Sequence, residues 1–167
     1  MADADVLFAA HRDRVFRYLS RFTGHGETAR DLTQEVFLRV VRGPVPATDE
    51  DGRRAWVFRI ARNLALNHVR DDRRRPSAAA PDLAHAATQE ISAALREALD
   101  SLPIVDRDVF LLRETGGLSY DQIAAACDLT PAAVRSRLHR TRLQLRAALG
   151  PALPGARSPR GVVLTNE

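Results

Sequence analysis

Arg135, Ser136, His139 and Arg140 are residues of the types that read nucleic acid, and their spacing gathers them on one side of a helix. A guanidinium donates in a fork to a guanine edge or a phosphate, while a hydroxyl or an imidazole both donates and accepts. The surrounding segment, LSYDQIAAACDLTPAAVRSRLHRTRLQLR (118–146), has to hold them there. Ser119 is followed three residues later by Gln122, the spacing of a capping box. Thr130 precedes Pro131 as a hydroxyl N-cap before a proline at the first helical position, and Gly150 stands where a C-terminal cap would fall. The spacing predicts a short helix, a tight turn and a longer helix from about Pro131 to Leu149. Along the longer helix Val134, Leu138, Thr141, Leu145 and Ala148 form the expected core stripe, which turns Ala132, Ser136, His139 and Arg140 outward with Arg135 flanking them. A helix-turn-helix that offers Arg, Ser and His at the start of its second helix has the layout of a major-groove reader.

A second chemistry-bearing face lies upstream, on RRAWVFRIARNLALNHVR (53–70). Val57, Ile60, Ala61 and Leu64 mark its core side. Arg59, Asn63, Leu66 and Arg70 make an outer stripe, with Arg62 beside it and Trp56 and Asn67 on the neighbouring edge. Guanidiniums hold phosphates, an amide reads a base edge, and an aromatic ring stacks on an unpaired base. Together they suit distorted or single-stranded DNA, although Trp56 fits a packing role as readily as a stacking one. A third face differs in kind. On the helix before, Ala29, Leu32, Val36 and Val40 form the core stripe and leave Asp31, Gln34, Glu35, Leu38 and Arg42 outside. Leu38 among polar groups reads either as a small protein-contact patch or as an ordinary exposed leucine.

The positioning elements follow from punctuation. Phe8, Val15, Leu19 and Phe22 mark a first helix that stops at Gly24-His25-Gly26; Thr28 and Asp31 resemble a capping pair that opens a second helix to about Arg42. Gly43, Pro44 and Pro46 end it, and a loop continues through the acidic run Asp49-Glu50-Asp51. A third helix is predicted from about Arg53 to Arg70. RPSAAAPDLAHAAT, from Arg75 to about Thr88, reads as a flexible linker. Beyond it Ile91, Leu95, Ala98 and Leu102 form an apolar stripe broken at Pro103, and Ile104–Arg113 makes a fifth helix ending before Gly116-Gly117. No strand pattern of useful length is present. The expected fold is all-α, built as two small helical domains.

All 25 basic residues are arginine, and they fall in blocks. Residues 1–75 hold 15 Arg against 11 acids, residues 76–118 hold 3 against 7, and residues 119–150 hold 5 against 2. Two basic blocks flanking an acidic one suit a polyanion contacted in two places, and a solvated surface gives a similar count. Cys127 is the single cysteine, so no internal disulfide or paired-cysteine zinc site forms; a small buried residue is the expected role. His11, His25, His68, His85 and His139 make no metal-ligand pair, and no phosphate-binding glycine loop or nucleophile elbow occurs. Neither an enzyme nor a cofactor is expected. No apolar run reaches membrane-span length and MADADVLF lacks the basic start of a signal peptide, so a cytoplasmic protein without membrane insertion is expected.

ARDLTQEVFLRV (29–40), AWVFRIARNLALNHVRDDRRR (55–75) and LPIVDRDVFLLRETGGLSYDQIAAACDLTPAAVRSRLHRTRLQLR (102–146) together resemble the extracytoplasmic-function (ECF) sigma factors, the short group of the sigma-70 family. The resemblance covers about residues 5–149, with the three motifs in family order and spacing. It implies region 2 over 5–75, a linker over 76–89, region 4 over 90–149 and a tail over 150–167, expected to be disordered, that lies outside the resemblance. It further implies a transcription initiation factor that binds core RNA polymerase and directs it to promoter DNA. Asp31, Gln34, Glu35 and Leu38 inherit contact with the β′ clamp helices, and region 4 inherits the β flap. Asn63 matches the position that meets a flipped-out base of the minus-ten element, with Trp56, Arg59, Arg62, Asn67 and Arg70 around it. Arg135, Ser136, His139 and Arg140 inherit the minus-thirty-five element. An anti-sigma factor is an expected partner. The loop Gly43–Gly52 is acidic here and His139 stands at a variable position, so neither promoter sequence carries over. A stand-alone helix-turn-helix regulator that binds a palindrome as a dimer is the alternative; it leaves the second and third helices' outer faces without a role.

Overall fold

The computed structural model describes residues 2–74 and 86–150. These form seven helices: α1 (Ala2–Thr23), α2 (Gly26–Arg42), α3 (Glu50–Arg74), α4 (Ala86–Asp100), α5 (Ile104–Glu114), α6 (Tyr120–Cys127) and α7 (Pro131–Leu149), with no strand among the described residues. The all-α expectation holds. Most of the expected linker and the tail from 151 onward lie outside the described residues; at the linker's far end, α4 is already helical from Ala86.

Helices α1, α2 and α3 pack on one another, α5, α6 and α7 form a second group with α4 laid on α7, and α1 meets α5. The α1 stripe is Leu7, His11, Val15, Tyr18, Leu19 and Phe22, all buried. Phe8, expected in that stripe, is 45% exposed and leans edge-on against Phe37 with ring centroids 4.9 Å apart. Leu7 displaces it because steps of four and then three or four residues from Leu7 keep to one helical face.

The start of α2 also departs from expectation. It opens at Gly26, with His25 at the N-cap making no side-chain cap, and the Thr28–Asp31 pair goes unused. Gly24 turns the chain at φ 77° and the Thr23 hydroxyl accepts from the His25 N–H at 3.3 Å, so the new helix starts three residues sooner than a Thr28 cap would give. In α3 the acidic run is not all loop. The Asp49 carboxylate accepts from the Gly52 N–H at 2.8 Å, and Glu50 and Asp51 occupy the first turn, where negative charge favours the helix dipole. Arg73 and Arg74 complement the other end, four residues past the expected stop.

The helix-turn-helix caps are both present. Gln122 N–H donates to Ser119 Oγ at 3.2 Å and Ser119 N–H to Gln122 Oε1 at 2.9 Å, closing the capping box. Asp128 takes the left-handed conformation at φ 56°, and Thr130 Oγ1 accepts from Ala133 N–H at 3.1 Å to start α7.

One buried apolar cluster runs through both helical groups. Tyr18 packs on Phe22 and Phe58, each with centroids 5.7 Å away, and Gly116 closes the approach from the other side. A Cβ there would lie 2.6 Å from the Leu112 carbonyl oxygen and 3.2 Å from the Phe58 ring, so the turn before α6 can come this near only as glycine.

Candidate nucleic-acid interface

On α7, Val134, Leu138, Thr141, Leu145 and Leu149 are buried. Leu149 takes the last place of the stripe, and Ala148 is exposed instead, because Leu149 lies one full turn from Leu145. Arg135, Ser136, His139 and Arg140 are all exposed and share the opposite side. The arginines of this helix divide by partner. Arg137 Nη1 pairs with Asp106 at 2.7 Å and Arg142 Nη2 with Glu114 at 2.6 Å, which ties both to α5. Arg135 instead lies over the Tyr120 ring at 5.9 Å, close to Arg113 over the same ring at 5.2 Å. A cation held over an aromatic face keeps its charge and loses freedom, so Tyr120 aims Arg135. The sequence marks this contact only by an aromatic at the first position of α6, since it crosses the turn.

On α3, Arg59, Asn63, Asn67 and Arg70 are exposed, whereas Leu66 and Trp56 are half-buried against the core. Trp56 packs: its ring lies 3.7 Å from where a Gly43 side chain would begin. Arg62 departs most from expectation. It turns away from the open stripe toward α5, its side chain is 16% exposed, and its Nε lies 2.5 Å from Asp108 Oδ2. The cause is a carboxylate that sequence reading passed over.

Asp108 is 1% exposed in the middle of the apolar run of α5. It accepts from Tyr18 Oη at 2.9 Å and from Arg62 Nε, and the Cys127 thiol lies 3.6 Å from it. In IVDRDVFLL, Asp108 stands directly before Val109 and one turn before Leu111 and Leu112, on the side of the helix that must be buried, and that placement is the sequence signal for it. Burial pushes the Asp108 carboxyl above its ordinary range, with Arg62, Tyr18 and Cys127 pulling the other way. Burial also works against charge on Arg62, but the adjacent carboxylate outweighs it and holds the guanidinium protonated. The Tyr18 hydroxyl is raised well above the usual phenol range by burial and by Asp108.

Burial and then the Asp108 carboxylate push the Cys127 thiol up to about 12. The thiolate is the reactive species, so a rise from 9.0 to about 12 leaves about 1000-fold less of it at pH 8. Iodoacetamide at pH 8 is therefore expected to modify Cys127 at least about 100-fold more slowly in the folded chain than in urea. Rates within a factor of about ten, followed by mass spectrometry, would contradict the hydrogen-bonded thiol.

On α2, Asp31, Gln34 and Leu38 are exposed and Glu35 half-buried on one face, with Glu35 Oε1 held by Arg39 Nε at 2.8 Å. Val41, which the sequence reading left out, extends the apolar part of this face and is 62% exposed. Among the described residues no group of three or more His, Cys, Asp or Glu side chains is placed to hold a metal ion.

Two family models match, sigma-70 region 2 over residues 7–75 and sigma-70 region 4 over residues 92–145. The RNA polymerase sigma factor CarQ of Myxococcus xanthus is 34% identical over 86% of this chain and 87% of its own length. The ECF RNA polymerase sigma factor SigE of Mycolicibacterium smegmatis is 38% identical over 87% of this chain. The chain is an ECF member of the sigma-70 family. This sigma factor spans 61% of the length of that SigE relative. A solved structure of the sigma factor RpoE of Bartonella quintana, in complex with the anti-sigma factor NepR, shares its fold. The two agree with a TM-score of 0.69 at 18% identity, covering 92% of this chain and 100% of that one. The region 2 match takes in most of α1 and all of α2 and α3, and the region 4 match takes in most of α4, all of α5 and α6, and most of α7.

Proposed function

We propose that this sigma factor binds core RNA polymerase and directs it to promoters, reading the minus-thirty-five element with α7 and opening the minus-ten element with α3. The observation that carries the reading is the separation of three unlike faces on one chain. Arg135, Ser136, His139 and Arg140 are exposed on α7 and make no ion pair among the described residues, Arg59, Asn63, Asn67 and Arg70 stand exposed on α3, and α2 offers Leu38 and Val41 among polar groups. A dimeric helix-turn-helix regulator would use the first face only.

In this reading residues 5–75 form the unit that meets polymerase and the minus-ten element, and 90–149 the unit that meets the minus-thirty-five element. Asn63 takes a flipped base, Arg59, Asn67 and Arg70 steer the strand, and Trp56 supports them by packing. Asp31, Gln34, Glu35 and Leu38 dock on the β′ clamp helices, and region 4 meets the β flap. An anti-sigma factor is the expected regulator, supported by the Bartonella quintana relative solved with one. The site of action is the cell interior, with the polymerase; no described helix is long and apolar enough to cross a membrane.

Run-off transcription with core polymerase and a promoter library tests the reading directly, and absence of any sigma-dependent transcript would overturn it. The Glu35→Arg, Leu38→Ala double variant refines the test. It is expected to bind core polymerase at least about tenfold more weakly, about 1.4 kcal/mol. Loss of the exposed Glu35–Arg39 pair costs the fold well under about 1 kcal/mol, so melting should barely move. Wild-type affinity in this variant would remove α2 as the anchor.

A further inference from the structure

Arg135 and Arg140 are exposed on the same side of α7 but are held differently. Arg135 lies over the Tyr120 ring at 5.9 Å, whereas Arg140 has no ion pair and no ring contact among the described residues. An arginine loose on a surface samples many rotamers, and a fork that must meet a base edge in one pose gives up that freedom on binding. Arg135 has given up part of it beforehand.

The ring responsible is itself fixed. Tyr120 is the first residue of α6, where the Ser119–Gln122 capping box sets the backbone, and its half-buried side chain packs on the core. Arg113 of α5 lies over the same ring at 5.2 Å and is pinned in turn, its Nη1 donating to the Leu118 carbonyl at 2.8 Å. Arg142 stands near the hydroxyl end. It pairs with Glu114 at 2.6 Å and is held charged by that carboxylate first and then by the Tyr120 hydroxyl. Three guanidiniums thus gather around one phenol, and of these Arg113 and Arg142 have oxygen partners while Arg135 has none among the described residues.

We propose that Tyr120, which lies outside the recognition helix, determines specificity in the minus-thirty-five element: its ring holds Arg135 in the pose that meets a base edge, so the choice of base there is set from α6. The inference rests on the promoter reading given above and adds a positioning residue to it. A guanidinium left loose can turn to a nearby phosphate, which attracts it as well and carries no sequence information. Holding the fork over the ring removes those alternatives, so the ring contributes to discrimination more than to affinity. Arg140, which does not use the ring, serves as the internal control.

Selection of transcribed promoters from a library randomised over the minus-thirty-five element, with core polymerase and the full-length chain, reads the effect position by position. Tyr120→Leu is expected to lower discrimination about two- to fivefold at one position, as loss of a cation held over an exposed aromatic face requires. It should be the position that Arg135→Ala relaxes, with the position read by Arg140 unchanged. Tyr120→Phe keeps the ring and is expected to select the wild-type sequence. Adding Tyr120→Leu to Arg135→Ala should relax nothing further, because one residue acts through the other. Wild-type selection by Tyr120→Leu or by Arg135→Ala overturns the proposal, and so does equal relaxation at every position, which a merely structural role gives. Relaxation of the Arg135 position by Tyr120→Phe overturns it as well, since the hydroxyl rather than the ring would then be at work. If Tyr120→Leu loses helicity, Tyr120→Met takes its place with the same outcomes, keeping apolar bulk without the ring. Failure of the promoter reading shows separately, as absence of sigma-dependent transcript from the wild-type chain.

Discussion

Replacing Phe58 by alanine is expected to lower stability by about 3–5 kcal/mol, the usual cost of emptying a fully packed aromatic site. Phe58 has no exposed surface, meets Tyr18 edge-on, and lies against the Gly116 turn of the second helical group. A chain of this size loses about 2–4 °C per kcal/mol, so the melting temperature should fall by roughly 6–20 °C. Val6→Ala supplies the comparison: Val6 is 58% exposed, and its truncation should stay within about 0.5 kcal/mol. Differential scanning calorimetry on the two variants checks both numbers. A Phe58→Ala chain as stable as Val6→Ala would mean that the α3 face assigned to the core is wrong.

The second large effect concerns promoter choice. Arg140 is exposed opposite the buried stripe and Arg135 is aimed over Tyr120, so either one truncated to alanine should cost about 1–3 kcal/mol at its base and relax preference at one position of the minus-thirty-five element. Arg146, exposed and farther along the helix, should affect all sequences alike and lower the salt slope by about one. Arg137 belongs to neither class: pairing with Asp106 makes its loss a matter of stability. Selection from a randomised promoter library separates the three. If Arg146→Ala rather than Arg135→Ala or Arg140→Ala changes the selected sequence, α7 enters the groove rotated from the orientation argued here.

What could be read in advance follows the range of the forces involved. The ends of α6 and α7 were legible because Ser119 with Gln122 and Thr130 with Pro131 act across three residues or fewer, and the outward set on α7 followed once its apolar stripe was known. The start of α2 was not, since His25 caps nothing with its side chain and the turn rests on the conformation of Gly24. Phe8 misled for a related reason: type alone favours burial, but the phase set by Leu7, Val15 and Phe22 excludes it. Arg62 was placed on the right helix and given the wrong neighbour. Its partner is 46 residues away, and no local period registers a pairing across that separation. The same limit hid Tyr120 beneath Arg135, which meets it only after the turn has folded.

The apolar cluster that passes unbroken from Tyr18 and Phe58 to Leu112 and Leu118 has a bearing on how long the protein lasts in a cell. Side chains of both halves are buried in that one cluster, so a molecule whose halves parted would show apolar surface where they now meet. Breaking the contact between the halves would therefore do more than remove its hydrogen bonds, because newly bared apolar side chains invite proteases and aggregation.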